Sequence, residues 1–419
     1  MSASNSMTEV VTSAEAPAPQ RPKPPQPREQ RRTPPARPAA PARAAAESPH
    51  CAVTVHEGRE AFVALEREWN RAVSEGPRDE PFFRHEYQRA WLDAFATSAK
   101  PISLTVKSAG RTRLAAAFVP RQEKLLGVPL NVLALPAGDH SNRAGFALGA
   151  GDLAASFAAL WKQLKDAPWD ALVLRDLPDG APELKALRAL AAADGFATGV
   201  WTSVRSPYLK VARFAGAADV EAKLDAHFRQ NLRRRRRKLA THGDVAFERF
   251  ELASGPAGLD AALAEGMRLE ASGWKGRAGT AIAASPETVA FYSAVARWAL
   301  KEKALALSFL KVGADRVGFH FGLEWKGVYS VPKCGYDEAY ADCSPGQLHL
   351  REVLADCARR GLDELDFLGP SMPWKRDWTD AERPHRWLYV FRPTRGLRAL
   401  CEAKFTALPL LKRFAARGV

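Results

Sequence analysis

The sequence predicts a mixed α/β (α+β) fold, in which short strands and amphipathic helices alternate along most of the chain. Three observations support this class. Segments with the two-residue period of strands alternate with segments of helical period. The 419 residues are 46% hydrophobic and 26% charged, which is an ordinary globular composition. No apolar run approaches the about 18 to 20 residues of a membrane-spanning helix, so we expect no transmembrane segment.

The cysteines and the charges indicate what kind of location and partner the protein has. The five cysteines are an odd number without a C-x-x-C pair, so we expect no disulfide framework, no metal cofactor and a cytoplasmic location. The formal net charge of +14 favours an anionic partner. Much of the excess is local, because residues 229–238 contain seven basic side chains and no acidic one.

Composition divides the chain into four parts. Residues 1–50 hold 11 of the 30 prolines, together with many Ala and Arg residues, and are predicted to form a disordered tail. Globular patterning then predicts an N-terminal lobe over 51–205 and a C-terminal lobe over 206–395. A basic helix is predicted over 396–419.

In the N-terminal lobe, helical spacing of Phe62, Leu65, Trp69 and Val73 predicts a helix over 59–73. Further helices are predicted over 85–96, 153–164 and 181–193. Strand-like runs bounded by turn residues are predicted over 51–56, 102–107, 113–120, 130–135 and 171–174.

In the C-terminal lobe, an apolar stripe from Val220 to Leu239, followed by Gly243, predicts one long helix over 220–241. Further helices are predicted over 259–272, 286–301 and 345–360. Strands are predicted over 208–211, 245–250, 304–312, 316–324, 328–334, 362–367 and 387–392.

The predicted strand 316–324 contains two candidate general bases. Alternation places Gly318, His320, Gly322 and Glu324 on one face, where the two glycines leave room for a ligand or another backbone. Roughly 13 Å of strand separates His320 from Glu324, so each would act alone or through water. The alternative is a solvated or hydrogen-bonded face of the sheet.

Ser344, Gly346 and Gln347 are the candidate cofactor-binding residues at the start of the predicted helix 345–360. Ser344 as N-cap and Gln347 three residues later have the pattern of a capping box. Gly346 removes a side chain where backbone N–H groups and the positive end of the helix dipole converge, which suits a phosphate or pyrophosphate. The alternative is that the box only starts the helix.

Basic residues supply the remaining candidates. Arg233, Arg235 and Arg236 belong to a run that sweeps more than one helical turn. Arg235 and Arg236 border the apolar stripe, where an unpaired guanidinium is costly, so we expect a carboxylate, a donor phosphate, an anionic acceptor or RNA as partner. A solvated surface is the alternative. Lys375, beside Trp374, could neutralise a phosphate or an oxyanion, or else stack on the tryptophan.

Familiar catalytic motifs are absent from the sequence. Asp139, His140 and Ser141 are neighbours in sequence, whereas the members of a catalytic triad meet in space, so we interpret them as a polar loop. The chain also lacks G-x-S-x-G, G-x-G-x-x-G, G-x-x-x-x-G-K-[ST] and H-E-x-x-H. Hydrolase, dinucleotide-binding, NTPase and zincin functions therefore lose their main support.

Several blocks between residues 207 and 378 form a combined pattern, and weaker similarity extends back to residue 51. The blocks are Pro207-Tyr208-Leu209, RQNLRRRRRKL from Arg229, Gly273-Trp274-Lys275-Gly276, Gly279-Thr280-Ala281-Ile282, Tyr336-Asp337, Ser344-Pro345-Gly346, Leu365-Asp366-Phe367 and Trp374-Lys375. Together they resemble the GNAT-type acyltransferases of the CelD/BcsL group, relatives of the Fem peptidyltransferases.

The resemblance implies two tandem GNAT-like lobes, each a mixed sheet flanked by helices. It implies transfer of an acyl group from acetyl-CoA or another acyl-CoA to an amine or hydroxyl, in envelope or exopolysaccharide metabolism. His320 or Glu324 would deprotonate the acceptor, and Lys375 would stabilise the transition state. Lys275 joins the arginines as a candidate for binding an anionic substrate. The expected acceptor is a small molecule or a glycan precursor.

The sequence departs from the family pattern at two places. The usual GNAT pyrophosphate loop, Q/R-x-x-G-x-G/A, is replaced by Ser344-Pro345-Gly346, and the usual Tyr before the lysine is Trp374. Two other functions stay open: a Fem-like transferase that uses aminoacyl-tRNA and grips the tRNA with the arginines, and a non-catalytic GNAT-fold binding protein. An acyl carrier protein and peripheral contact with a membrane are further alternatives as partners.

Overall fold

The computed structural model describes residues 51–212 and 214–415. The predicted tail over 1–50 and the last four residues of the predicted helix over 396–419 lie outside this part. The strands are β1 Ala52–Glu57, β2 Ile102–Ser108, β3 Arg111–Leu125, β4 Val128–Ala134, β5 Ala147–Leu148, β6 Ala171–Pro178, β7 Ala197–Lys210, β8 Val245–Arg249, β9 Leu305–Val312, β10 Asp315–Trp325, β11 Val328–Tyr336, β12 Glu364–Asp366 and β13 Glu382–Phe391.

The helices lie between these strands and at the end of the described chain. They are α1 Gly58–Val63, α2 Glu66–Glu75, α3 His85–Phe95, α4 Leu153–Asp166, α5 Pro182–Ala193, α6 Ala217–Lys223, α7 Ala226–Leu239, α8 Gly255–Ser272, α9 Trp274–Arg277, α10 Pro286–Lys301, α11 Pro345–Arg359, α12 Pro373–Arg376, α13 Arg395–Glu402 and α14 Leu408–Ala415. A π-helical turn, Ala403–Ala407, joins α13 to α14.

The strands form one mixed sheet in the order β1-β2-β3-β4-β6-β13-β7-β12-β11-β10-β9-β8, with β5 paired to β3. The same pattern occurs twice. Strands β1 to β4 are antiparallel neighbours, and β4 is parallel to β6. Strands β8 to β11 are antiparallel neighbours, and β11 is parallel to β12. The predicted mixed α/β class is confirmed.

The two repeats exchange their last strands. Strand β7, which follows the first repeat, pairs with β12 of the second. Strand β13, which follows the second repeat, pairs with β6 of the first. Strands β7 and β13 also pair with each other over most of their length, so they form the seam of the sheet.

Helices cover both faces of the sheet. The side chains of α4 and α5 pack on one face of the first repeat, and those of α13 and the π-helical turn pack on the other. In the second repeat, α8 and α10 cover one face and α7 and α11 the other. Helix α3 packs against α10, where the rings of Tyr87 and Phe291 meet edge to face at 5.5 Å. The core under α10 is therefore built from both repeats.

Two helices predicted as continuous are interrupted. The predicted helix 220–241 is wrong: α6 ends at Lys223, Leu224 is extended, and Asp225 starts α7 by accepting from the N–H groups of His227 and Phe228. The predicted helix 59–73 is divided into α1 and α2 by a turn at Ala64 and Leu65.

None of the helices in the described part of the chain combines the length and the apolar character that crossing a bilayer requires.

Candidate functional site

The candidate site lies where strands β11 and β12 diverge. They pair in parallel only at Val328, Tyr329 and Ser330, opposite 364–366. Strand β11 then carries a bulge, because Leu323 of β10 faces Ser330 whereas Phe321 faces Lys333. Past Asp366, the chain turns through two residues with positive φ, Leu368 and Gly369. The second half of β11 is therefore without β12 beside it.

Side chains from the α8–α9 corner reach this half of β11. Lys275 donates from Nζ to the carbonyl oxygen of Cys334 and lies 3.2 Å from Glu270 Oε1. Ser272 donates to the carbonyl oxygen of Tyr336 at 2.9 Å. The Glu270 carboxylate is fully buried and accepts from the N–H of Ile282 at 2.7 Å. These polar contacts show that the β11 edge can serve as a hydrogen-bonding surface.

Lys375 lies where the chain leaves β12. Its side chain is buried, and Nζ donates to the carbonyl oxygens of Leu368 at 2.6 Å and Pro370 at 2.9 Å. Burial lowers the pKa of Lys375 to about 8, against the raising effect of Cys334 and Asp366. A buried ammonium that is held by neutral carbonyls remains available to a developing negative charge.

A loop of the first repeat faces the same region. His140 Nδ1 lies 3.4 Å from the Tyr292 hydroxyl, and its ring stacks on Phe95 with centroids 5.4 Å apart. Lys333 Nζ lies 5.6 Å from the Tyr292 ring centroid and 3.5 Å from Glu270 Oε1. Burial, and then the charge of Lys333, lower the pKa of His140 and so favour its neutral form. A neutral, partly exposed imidazole can accept a proton.

A buried ion cluster holds this loop against β12. Arg143 pairs with Asp366 and Glu80, and Arg383 also pairs with Asp366 at 3.0 Å. The Asp366 side chain is fully buried and accepts from the N–H of Leu368 at 2.8 Å. The cluster thus joins the His140 loop, β12 and β13 beside Lys375.

The predicted bases are placed differently from the expectation. His320 is buried under α11, 4.4 Å from the His349 ring, and burial with the nearby Lys275 lowers its pKa to about 3. Glu324 is engaged by Arg249 and Arg360. The open space expected at the strand glycines is filled, so that expectation is wrong. A Cβ on Gly318 would lie 3.1 Å from His349 Nδ1, and one on Gly322 would lie 2.5 Å from the Tyr329 hydroxyl.

The capping box predicted at α11 is not formed. Ser344 occupies the N-cap position with φ 49°, and its side chain makes no cap hydrogen bond. The Gln347 amide instead lies 3.2 Å from Asp377 Oδ2 and 3.3 Å from the carbonyl oxygen of Trp374. Because Ser344 itself is left-handed and not extended as an N-cap residue usually is, its hydroxyl is not directed at the first helical N–H groups. Gly346 lies against Tyr336.

The three arginines predicted to bind an anionic partner lie in different places: one lines a cavity, one forms an ion pair and one is on the surface. Arg235 lines a cavity of about 450 Å³ at the start of α7, together with Asp225, His227, Phe228, Asn231, Arg376 and Asp377. Arg233 pairs with Glu221 at 3.3 Å, and Arg236 is exposed. Lys275 lies in the β11 contacts described above and does not line this cavity.

Sequence reasoning missed His140, Glu270, Lys333 and Tyr292. Only the fold brings them together, from the 137–142 loop, α8, β11 and α10. The Asp139-His140-Ser141 neighbourhood is a loop, as predicted, but its histidine faces the site. No local signal marks such residues, since each one alone has an ordinary structural explanation.

Comparison with known proteins identifies the kind of fold. Residues 226–376 match the family model described as an acetyltransferase (GNAT) domain. The crystal structure of FemX is similar over 77% of this chain and 95% of that chain, with 11% identity and a TM-score of 0.50. Among curated proteins, no sequence matches. The chain thus has the GNAT fold and carries a GNAT acyltransferase-type domain in its second half.

Two other solved structures were compared. One is the C-terminal domain of a putative lysylphosphatidylglycerol synthetase from Agrobacterium fabrum, with 11% identity, a TM-score of 0.47, and 81% of this chain and 95% of that chain covered. The other is a tandem GNAT protein from the clavulanic acid biosynthesis pathway, with 12% identity, a TM-score of 0.42, and 82% of this chain and the whole of that chain covered.

Proposed function

We propose that this protein is an acyltransferase that moves an acyl group from acetyl-CoA or another acyl-CoA to an amine or hydroxyl acceptor. The observation that carries the proposal is the divergence of β11 from β12 next to the buried Lys375. Lys275 and Ser272 already donate to the carbonyl oxygens of Cys334 and Tyr336, so an extended donor chain would pair, as an added strand would, with the backbone groups that remain on this edge. This place lies within the residues that match the acetyltransferase domain.

The phosphates of the donor would bind in the cavity at the start of α7. Arg235 and Arg376 line it, and Gln347 at the first turn of α11 contacts Asp377 on its wall. Guanidinium groups and a helix N-terminus both favour phosphate. Ser344 and Gly346 belong to the same turn. The two guanidinium groups would supply the cationic contacts that the replaced glycine-rich loop does not, although the carboxylates of Asp225 and Asp377 also line the cavity.

The reaction would be a direct transfer. The acceptor amine or hydroxyl gives its proton to His140 and attacks the carbonyl carbon of the thioester. The carbon–sulfur bond then breaks, and the CoA thiolate leaves. Lys375, charged below its pKa of about 8, would stabilise the oxyanion. We place the base at His140 instead of His320 or Glu324, because His320 is buried under α11 and Glu324 is held by two arginines.

The acceptor would lie between the His140 loop and the α8–α9 corner. Lys275 and Lys333 flank this region, and Glu270 accounts for only one negative charge between them. An acceptor with an anionic group would complete the charge balance. A small envelope or exopolysaccharide precursor with a free amine or hydroxyl fits this description.

The proposal is tested by measuring donor binding and turnover. Calorimetry with acetyl-CoA and a long-chain acyl-CoA should show binding, and release of free CoA thiol should depend on an added amine or hydroxyl acceptor. Lys375→Met should lower kcat by about 100-fold or more while donor binding persists. Lys100→Met, a change of an exposed lysine, is the matched control. Binding of neither donor would refute the proposal and favour a non-catalytic binding protein.

A Fem-like transfer from aminoacyl-tRNA is the second candidate. It is favoured by the likeness of the fold to that of FemX and by the exposed arginines of α7, Arg234, Arg236 and Arg237. Two single variants would separate the two donors. Arg236→Ala should weaken tRNA binding without affecting acyl-CoA, whereas Arg235→Ala should weaken acyl-CoA binding through the cavity. Binding of tRNA together with no binding of acyl-CoA would select this second function.

A further inference from the structure

The five cysteines of the chain differ in their exposure. All are free thiols; Cys343, Cys357 and Cys401 are buried, whereas Cys51 and Cys334 are partly exposed. Cys334 lies on the half of β11 that has no β12 beside it, within the candidate site. The proposed acyl transfer does not use this thiol. A nucleophilic group thus stands at the site without an assigned role.

Two lysines approach Cys334. Cys334 and Trp374 pack against the same buried cluster, and Lys375 Nζ lies 5.5 Å from the Trp374 ring centroid. Burial lowers the pKa of Lys375 to about 8, and among the charged groups Cys334 opposes this shift most, so thiol and ammonium are close together. Lys275 donates from Nζ to the carbonyl oxygen of Cys334, with Glu270 Oε1 3.2 Å from that Nζ. A thiol beside cations forms the reactive thiolate more readily.

His320 stands beside Cys334 on the same face of the sheet. The two residues are directly opposite each other on β10 and β11, a relation in which Cβ atoms lie about 4.5 to 5.5 Å apart. His320 is only 3% exposed, and its Nδ1 is buried without a hydrogen-bond partner in the part of the chain that the structure describes. The His349 ring beside it is held by Ser308 Oγ, 3.1 Å from Nε2. An unpaired buried nitrogen is costly, so a polar group that arrives at Cys334 would satisfy it.

We propose that Cys334 is a site of covalent modification by small disulfides that carry negative charge. The Cys334 thiol loses its proton to solvent, and the thiolate attacks one sulfur of the disulfide R–S–S–R. The S–S bond breaks, a bond between the Cys334 sulfur and S–R forms, and the second half of the reagent leaves as the thiolate R–S⁻. The two lysines favour both the attacking thiolate and an anionic reagent. The attached S–R group would lie at the β11 edge beside Lys375.

Labelling of the full-length protein with glutathione disulfide, followed by peptide mass spectrometry, tests the proposal. Cys334 should react about tenfold or more faster than Cys51, which is also partly exposed but packs against the core of the first repeat. The difference should disappear in urea, where both thiols are equally accessible. The neutral reagent 2-hydroxyethyl disulfide should show a smaller preference for Cys334, because the lysines no longer attract it.

Variants of Lys375 test the cause of this reactivity. Lys375→Met should slow the labelling of Cys334 about threefold or more and leave that of Cys51 unchanged, whereas Lys375→Arg, which keeps the charge, should retain the fast reaction. Circular dichroism verifies that both variants are folded. Salt gives a second measure on the unchanged protein, because about 0.5 M NaCl should slow the reaction of Cys334 more than that of Cys51. Equal rates for Cys51 and Cys334, or a Cys334 rate that neither Lys375→Met nor salt lowers, would overturn the proposal.

The effect of the modification on turnover rests on the proposed acyltransferase function, whereas the modification itself does not. Protein labelled at Cys334 should lose acceptor-dependent release of CoA, and dithiothreitol should restore it. Cys51→Ser is the matched control and should be inhibited to the same extent. Complete labelling of Cys334 with unchanged turnover would support the modification site and would refute the placement of the donor at the β11 edge.

Discussion

The buried ammonium of Lys375 should leave a signature in the pH dependence of stability. Its pKa is about 8 in the folded protein, against an ordinary value of 10.5. Between these two values the unfolded chain holds a proton that the folded chain has lost. Stability therefore rises with pH across this window, and below pH 8 the full cost of the buried charge is present. Lys375→Met removes this titration.

The size of the effect follows from the two pKa values. From pH 7 to pH 10 the free energy of unfolding of the unchanged protein should gain about 2 to 3 kcal/mol relative to Lys375→Met. The side chain is almost completely buried, so solvent screening reduces this figure little. The carbonyl groups of Leu368 and Pro370 lose a donor in the variant, but that loss does not change with pH.

Urea unfolding followed by tryptophan fluorescence at a series of pH values is the appropriate assay. The difference between the unchanged protein and Lys375→Met should be flat below about pH 7 and should rise above pH 8. Lys100→Met, in which an exposed lysine is replaced, should give a difference that stays constant. Parallel curves for all three proteins would show that Lys375 titrates normally and would refute the electrostatic reasoning about the site.

Three further predictions follow from single contacts. Asp366→Asn should cost about 3 kcal/mol in urea unfolding, because Arg143 is left buried with less negative charge around it; a change below about 1 kcal/mol would contradict this account. Gly335→Ala should cost about 2 kcal/mol or more, since the new Cβ would lie 2.5 Å from Glu270 Cα, whereas Gly396→Ala meets open space and should not destabilise the protein. His140→Phe should lower turnover about 100-fold and leave donor binding intact, while retained turnover would exclude His140 as the base.

Much of the second repeat could be predicted from its sequence. The alternation of 316–324 and the helical period of 286–301 both match the elements found, β10 and α10. These signals are strong because one face of each element is buried in a continuous core. The same reasoning missed β5, α9 and α12, which have two to four residues and are too short to show a period.

The candidate site was less predictable than the fold. Strand alternation indicates open space beside the strand glycines, but side chains from other elements fill that space. The alternation that identified Gly318 and Gly322 cannot reveal that His349 and Tyr329 come from other elements to occupy the room. The stripe from Val220 to Leu239 hides the break at the extended Leu224, after which the Asp225 carboxylate caps the start of a second helix. Contacts between distant segments, such as His140 with Tyr292, have no counterpart in local sequence.

The exchange of β7 and β13 has a consequence for synthesis on the ribosome. Strand β13 is made after all the other described strands, yet in the described sheet it stands between β6 and β7 and pairs with both. Until it emerges, both neighbours present unpaired edges, which invite pairing with other nascent chains. We expect production to depend on chaperone capacity, and a chain cut just before Glu382 should aggregate even though most of its core sequence is present.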